Sequence, residues 1–367
     1  MHITQYYPRA LSGDGGMTGA IQRLSQSMDA AGATAKIICE AGPQPSPADD
    51  GVMWARVRHR RIVGRTFPDT LQLEEAVRGS DVLILNSAWT LHNIVAAGIA
   101  RRLGVPYIVA PRGAYDPRIR HRHRLAKDAW WLAAERRLVE RSLAVHIFFE
   151  TERPHLEQLG HRGSVIVAPN GIDVPSDICW DGGSEAAVIW LGRFDPEHKG
   201  LDLLLGAVHR IPAGQRPRLR LCGPDWRDRK RSVLELARRL EVERWVTVTG
   251  PIYGREKLEL MARASAFVYP SRWEGFGNSL AEAASVGVPV LVTPYPLARL
   301  LASRGAAVLA EPTEAGLAEG LVAVLSPTSA AIGARARQVM VRSFNWSVVT
   351  QQWLQGIHQA LAAASLS

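Results

Sequence analysis

β-favouring runs and helix-period stretches alternate along most of this chain. Residues 2–6, 36–39, 82–85, 107–110, 145–149 and 165–168 predict strands, and the stretches 17–31, 91–103 and 125–142 predict helices. Strands buried on both faces read as near-continuous apolar runs. This alternation therefore predicts a parallel sheet with helices on each side.

The pattern lapses in a Pro-, Gly- and Asp-rich stretch, 169–183, and then restarts. Strands are expected at 187–191, 219–222, 246–248, 266–269 and 289–292, with helices from 200, over 232–240 and over 279–286. From 327 onward the chain reads as helices, broken at 344–347 with a cap expected at Asn345 or Ser347. At 367 residues the chain exceeds one ordinary core. The expected fold is α/β, two doubly wound Rossmann-like domains with a cleft where the carboxyl ends of both sheets face each other. The domains are expected at 1–174 and 175–345, with a final helix, 346–367, packing back on the first.

Hydrophobic residues make up 47% and charged residues 22%, which excludes a disordered or fibrous chain. The three cysteines are scattered, giving no disulfide framework or metal spacing, and fit a reducing compartment. The opening residues lack the basic and apolar regions of a signal peptide. The most apolar stretch, 286–301, is broken by Pro289, Pro294 and Pro296, so no span is expected. These features predict a cytoplasmic protein. The eleven histidines form no metal-ligand pattern, and no G-x-S-x-G or Cys/His pairing supports nucleophilic hydrolysis.

The densest constellation runs from Ser271-Arg272-Trp273-Glu274-Gly275-Phe276-Gly277-Asn278-Ser279 to Glu282, joining a strand to a helix. Gly275 and Gly277 let the backbone approach a ligand, and the amides of the helix start form an anion site. Glu282, one turn into the helix, and Glu274, ahead of it, suit a ligand with both phosphate and sugar hydroxyls. A second cluster, Gly192-Arg193 to Lys199-Gly200, follows the first strand of the second half. Arginine offers a planar fork and lysine a point charge to a diphosphate.

Pro-Ser-x-x-Glu-Gly-Phe-Gly followed by Glu-Ala-x-x-x-Gly-x-Pro-Val resembles the E-x7-E retaining glycosyltransferases of family four, which have the GT-B fold. The resemblance runs over nearly the whole chain, with the specific motifs in the second half. It implies that Glu282 binds the ribose of a nucleotide sugar and Glu274 contacts the transferred sugar. It further implies that Gly275, Phe276, Gly277, Asn278 and Ser279 hold sugar and phosphate, and that Arg193 and Lys199 neutralise the diphosphate without a metal or other cofactor. Gly15 and Gly16, in the glycine loop after the first strand, would approach donor or acceptor. Gly223 and Ile252 would line the nucleobase pocket, and Pro169-Asn170-Gly171-Ile172-Asp173 matches the family's domain junction. Two positions depart from the family. Where many relatives carry a histidine, the strands here end in Pro111-Arg112-Gly113 and in Asn86-Ser87. The Pro-Arg-Gly form resembles bacterial polysaccharide glycosyltransferases, and Arg112 and Asn86 become acceptor-side candidates.

The net charge is +9. Between Arg112 and Arg141, nine basic against four acidic residues leave +5, interleaved with Trp130 and Trp131. Such a segment, 118–141, can rest on an anionic bilayer; its alternative is a helix whose aromatic side packs on its own sheet. No nucleic-acid module surrounds it. The expected activity is transfer of a sugar from a UDP- or GDP-linked donor to a glycan or lipid-linked acceptor hydroxyl, with peripheral attachment to the membrane. The rivals are another GT-B enzyme such as a sugar-nucleotide epimerase, and a non-catalytic basic binding module.

Overall fold

The computed structural model describes residues 1–9, 16–40, 52–62, 65–121 and 124–366. The chain forms two compact units. The first comprises Met1–Gly171 together with Trp346–Ser367, and the second is Ile172–Asn345. The division falls a few residues before the expected 174/175 boundary because Ile172 already pairs with the end of the second unit. Its amide donates to Phe344 O at 2.7 Å, and it bridges Asn345.

In the first unit the strands are β1 (His2–Tyr6), β2 (Thr34–Glu40), β3 (Met53–Val57), β4 (His59–Ile62), β5 (Arg65–Pro68), β6 (Val82–Asn86), β7 (Tyr107–Ala110), β8 (Ala144–Ile147) and β9 (Val165–Val167). Seven of them form a parallel sheet in the order β3-β2-β1-β6-β7-β8-β9, while β4 and β5 pair as an antiparallel ribbon. Strand β3, the ribbon and the helix Thr70–Val77 were not expected. Basic residues interrupt the apolar pattern there, and β3 is an edge strand that buries only its last residue. Asp69 starts the helix by accepting from the amides of Leu71 and Gln72.

Alternate residues of the strands divide this unit into two cores. Ile3, Ile84, Ile108 and Ala144 lie under the helices Gly16–Ala30 and Trp346–Ser365. Leu83, Leu85, Val109 and Val145 lie under Thr70–Val77, Leu91–Arg102 and Arg136–Glu140. The C-terminal helix begins directly after Asn345 and buries Val349, Trp353, Ile357 and Ala360, the helical stripe that docks it on this sheet.

Residues 125–142 are not one regular helix. The chain runs through Arg124–Trp130, a π turn Trp131–Glu135 and Arg136–Glu140. The turn brings the Glu135 carboxylate inward, where it accepts from Trp89 N (3.1 Å), Tyr115 Oη (2.9 Å) and Trp130 Nε1 (2.8 Å). Trp131 is buried against Trp89 and Tyr115. Both tryptophans of the basic segment thus turn to their own domain, and the large apolar side chains left outside are Leu125, 87% exposed, and Leu132, 69% exposed. Among the described residues no single helix is long and apolar enough to cross a membrane.

The second unit holds β10 (Val188–Leu191), β11 (Leu219–Cys222), β12 (Val246–Thr249), β13 (Ala266–Tyr269), β14 (Val290–Val292) and β15 (Val308–Leu309). They form a parallel sheet ordered β12-β11-β10-β13-β14-β15. Strand order reverses between β10 and β13 here, and between β1 and β6 in the first unit. Ligands of doubly wound sheets bind outside the carboxyl ends of the strands at such switch points.

Truncating Trp353 to alanine should remove about 3–5 kcal/mol from the stability of the first unit. Urea unfolding of the variant, followed by circular dichroism, checks this; an unchanged midpoint would mean that the C-terminal helix contributes nothing to that core.

Candidate functional site

The two sequence clusters meet at the switch point of the second unit. Strand β10 hands its chain to residues 192–200 and β13 to residues 270–278. Arg272 staples these loops. Its amide donates to His198 O at 2.9 Å, and its guanidinium grips both Asp202 oxygens at 2.8 and 2.7 Å and the Glu197 carbonyl at 2.5 Å. Gly200 has φ +67°, and a Cβ there would lie 1.9 Å from Pro270 O. Only glycine admits that approach.

Between the loops lies a buried ion pair. Lys199 Nζ donates to Glu274 Oε1 at 2.5 Å and to Tyr269 Oη at 2.9 Å. Burial pushes the lysine down, but the Glu274 carboxylate outweighs it and holds Lys199 above its ordinary value. For Glu274 burial pushes up, and the charge of Lys199 brings the net shift below the usual carboxylate range. Both groups are charged at neutral pH. Lys199, expected beside a diphosphate, is paired with Glu274 in the folded loops.

His198 stacks on Trp273, with ring centroids 4.2 Å apart and planes 6° from parallel. Its Nε2 lies 3.0 Å from Trp273 O. A carbonyl only accepts, so Nε2 carries the proton. Burial, reinforced by the positive charge of Lys199, lowers the histidine to about 4. The imidazole is neutral and fixes the peptide that leads into Glu274.

Gly277, at φ +97°, precedes the helix Asn278–Val286, and a Cβ there would press on Tyr295 at 3.2 Å. Phe276 is buried and packs near Phe344, with ring centroids 6.0 Å apart. Gly275, Asn278 and Ser279 are partly exposed at the helix start. One turn in, Glu282 Oε1 accepts from Lys257 Nζ at 2.6 Å, both side chains being partly exposed. Lys257, on the helix Gly254–Arg263, was missed; its only signal was its position one turn beyond the Gly250–Tyr253 loop.

On the other side of β10, a Cβ at Gly223 would lie 1.7 Å from Gly192 O, so the loops after β10 and β11 also touch through backbone. Gly223 N donates to Gly250 O at 3.2 Å. Ile252 is partly exposed beside Tyr253, whose ring is exposed. The Arg193 guanidinium carbon lies 4.6 Å from the centre of the Trp226 ring.

At the switch point of the first unit, Asn86 Oδ1 accepts from Arg112 Nε (2.9 Å) and Nη2 (2.7 Å), and Arg112 Nη1 donates to Asn170 Oδ1 at 3.3 Å. Asn86 Nδ2 continues to Gln5 Oε1 at 3.3 Å. Burial lowers Arg112 to about 10. This network ties β1, β6, the loop after β7 and the junction residue Asn170 together. Ser87, Trp89 and Arg112 all have positive φ, a concentration of backbone strain at these strand ends. Gly16 opens the helix Gly16–Ala30, while Gly15 lies outside the described residues. Among the described residues no group of three or more His, Cys, Asp or Glu side chains could hold a metal ion.

Comparison with known proteins agrees with this division. Residues 15–171 match the family described as Glycosyl transferase 4-like domain, and residues 185–327 match Glycosyl transferases group 1. The chain is 34% identical over 123 residues to the O-antigen chain mannosyltransferase B of Escherichia coli, covering 32% of this chain and 31% of that protein. It is 30% identical over 181 residues to the glycogen synthase of Mycobacterium tuberculosis, covering 45% and 40% respectively. These matches therefore span less than half of each curated relative. In structure, a sucrose-phosphate synthase from Thermosynechococcus elongatus superposes with a TM-score of 0.80 at 18% identity, over 99% of this chain and 100% of that one. Anabaena Alr3699/HepE in complex with UDP and glucose gives 0.76 at 18% identity, over 98% and 100%. The fold is GT-B.

The titration of His198 gives a pH test. Its folded value, about 4, lies below the ordinary 6.5, so the unfolded chain takes up a proton first as pH falls. Stability conferred by the neutral ring is complete above about pH 6.5 and is lost progressively towards about pH 4, roughly 3 kcal/mol in all. Urea unfolding across that window should reveal the decline. His198→Gln should abolish this part of it, and an undiminished slope in the variant would contradict the assignment.

Proposed function

We propose that this chain, which carries a glycosyl transferase 4-like domain followed by a glycosyl transferases group 1 domain, is a retaining glycosyltransferase. It takes a sugar from a UDP- or GDP-linked donor to an acceptor hydroxyl in polysaccharide or glycolipid synthesis. The observation that carries this reading is the convergence at one switch point of Arg193, the start of the helix Asn278–Val286, Glu274 and Glu282. Together they supply a cation, an anion-binding helix end and two carboxylates.

In this reading the diphosphate lies against Arg193 and the amides at 277–279, which stabilise the charge that develops as the glycosidic C–O bond breaks. Glu282, held by Lys257, accepts from the ribose hydroxyls. Glu274, held by Lys199 and the His198–Trp273 stack, contacts the sugar. Lys199 acts chiefly by fixing Glu274. The acceptor oxygen attacks the face that the leaving group vacates, its proton passing to a diphosphate oxygen, and no metal or other cofactor takes part. The Arg112–Asn86 network shapes the acceptor side of the first domain.

Calorimetry with UDP, GDP and their sugar conjugates, in the presence of EDTA, tests the donor assignment. Glu282→Ala should weaken nucleotide binding by about 1.5–3 kcal/mol, the loss of a charge-assisted hydrogen bond. Glu274→Ala should lower turnover more than nucleotide affinity. Unchanged nucleotide binding in Glu282→Ala would remove its role, and activity lost in EDTA and restored by magnesium would overturn the metal-free scheme.

The proposed site of work is the cytoplasmic face of a membrane. Support comes from Leu125 and Leu132 standing exposed beside Arg124 and Arg136 on the basic segment. Each cation near an anionic surface contributes on the order of 1 kcal/mol. The chain should sediment with anionic but not neutral liposomes at low salt, and Leu125→Ser with Leu132→Ser should reduce this. If the wild type ignores anionic liposomes, a small soluble acceptor becomes the better reading.

A further inference from the structure

The cations around the second switch point differ in how their charge is met. Lys199 is paired with Glu274, Lys257 with Glu282, Arg272 with Asp202 and Arg220 with Glu185. Arg229 lies 3.9 Å from Asp195. Arg193 and Arg227 stand apart: among the described residues no carboxylate forms an ion pair with either, and both guanidinium groups lie over the Trp226 ring, Arg193 at 4.6 Å and Arg227 at 5.4 Å.

The Arg193 contact is built by the backbone. Gly192 N donates to Cys222 O at 3.1 Å and Phe194 N to Pro224 O at 3.2 Å, zipping the loop that carries Arg193 onto the loop that carries Trp226. Beyond Trp226 the chain turns through two successive left-handed non-glycine residues, Arg227 (φ +57°) and Asp228 (φ +58°). The turn is closed by Lys230 N donating to Asp225 Oδ1 at 3.0 Å. Two residues in that region of backbone space are costly in a surface turn unless something is gained by the placement. What the turn places is an indole, 39% exposed, beside a guanidinium.

An aromatic face attracts a cation through its quadrupole without cancelling its charge. A carboxylate in the same place would neutralise the arginine and compete with an incoming anion. We infer that Trp226 is a positioning residue for Arg193, setting the direction of the guanidinium while leaving its charge for the donor diphosphate. This rests on the donor site proposed above and adds to it a residue outside the motifs. Trp226 acts on the diphosphate through Arg193 and does not form a platform for the base.

The test is a double-mutant cycle read by calorimetry with UDP and GDP, and by competition with the corresponding nucleosides, on the full chain. Trp226→Ala should weaken the diphosphates about three- to tenfold and leave nucleoside competition unchanged, while Trp226→Phe should retain most of the affinity. In an Arg193→Ala background, Trp226→Ala should have no further effect. Thermal melts of each variant should match the wild type, since Trp226 lies at the surface. An equal loss with and without Arg193, or a parallel loss for nucleosides, overturns the inference while leaving the donor site standing. If the wild type binds neither diphosphate, the donor-site reading itself falls and this inference with it.

Discussion

The site of the second domain is organised around one buried ion pair, Lys199 with Glu274. Removing two charges from water is expensive, and their attraction compensates only where the geometry is tight and the remaining valences are filled. Here they are filled in part. Tyr269 accepts a second hydrogen bond from the lysine, and the His198–Trp273 stack adjoins the carboxylate. Losing either partner would strand a charge in the interior, so the loops after β10 and β13 are held in register by a penalty on separating them as well as by attraction. A pair of leucines could fill the same volume. It would not fix where a single carboxylate oxygen lies.

Close backbone contact makes that geometry reachable. Gly200 against Pro270 and Gly223 against Gly192 bring three loops to distances that a methyl group would forbid. The Rossmann order of the sheet sets these loops side by side at a strand reversal, and the glycines let them touch. Arg193, in the loop after β10, then remains a cation whose charge no carboxylate among the described residues offsets, which suits it to an anion arriving from solution.

Much of this was legible in the sequence. Strands such as β7, β10 and β13 are apolar throughout and appear where the pattern places them, and the switch-point clusters stand out by their glycines. What could not be read depends on contacts distant along the chain. Lys199 and Glu274 lie 75 residues apart. Each alone looks like a ligand for substrate, and only the folded loops reveal that they also pair with each other. Lys257 carried no signal beyond its position after the Gly250–Tyr253 loop until its helix was seen beside Glu282. For the tryptophans of the basic segment the sequence left two readings open, and packing on their own domain is the one that holds. Glu135, in a π turn, accepts from Trp130, Trp131 packs on Trp89 and Tyr115, and two leucines are left outside. Strand β3 escaped notice because an exposed edge strand need not be apolar.

The C-terminal helix has a consequence for the order of synthesis. Its stripe from Val349 to Ala360 covers one face of a sheet whose strands are made in the first half of the chain. During translation that face, which includes Ile84 and Ile108, has only the helix Gly16–Ala30 to cover it until residues 346–365 leave the ribosome, while the second domain already has every strand it needs. The domain encoded first is therefore the last to be finished. Between those two moments the nascent chain presents a partly open apolar surface that the helix Trp346–Ser365 closes.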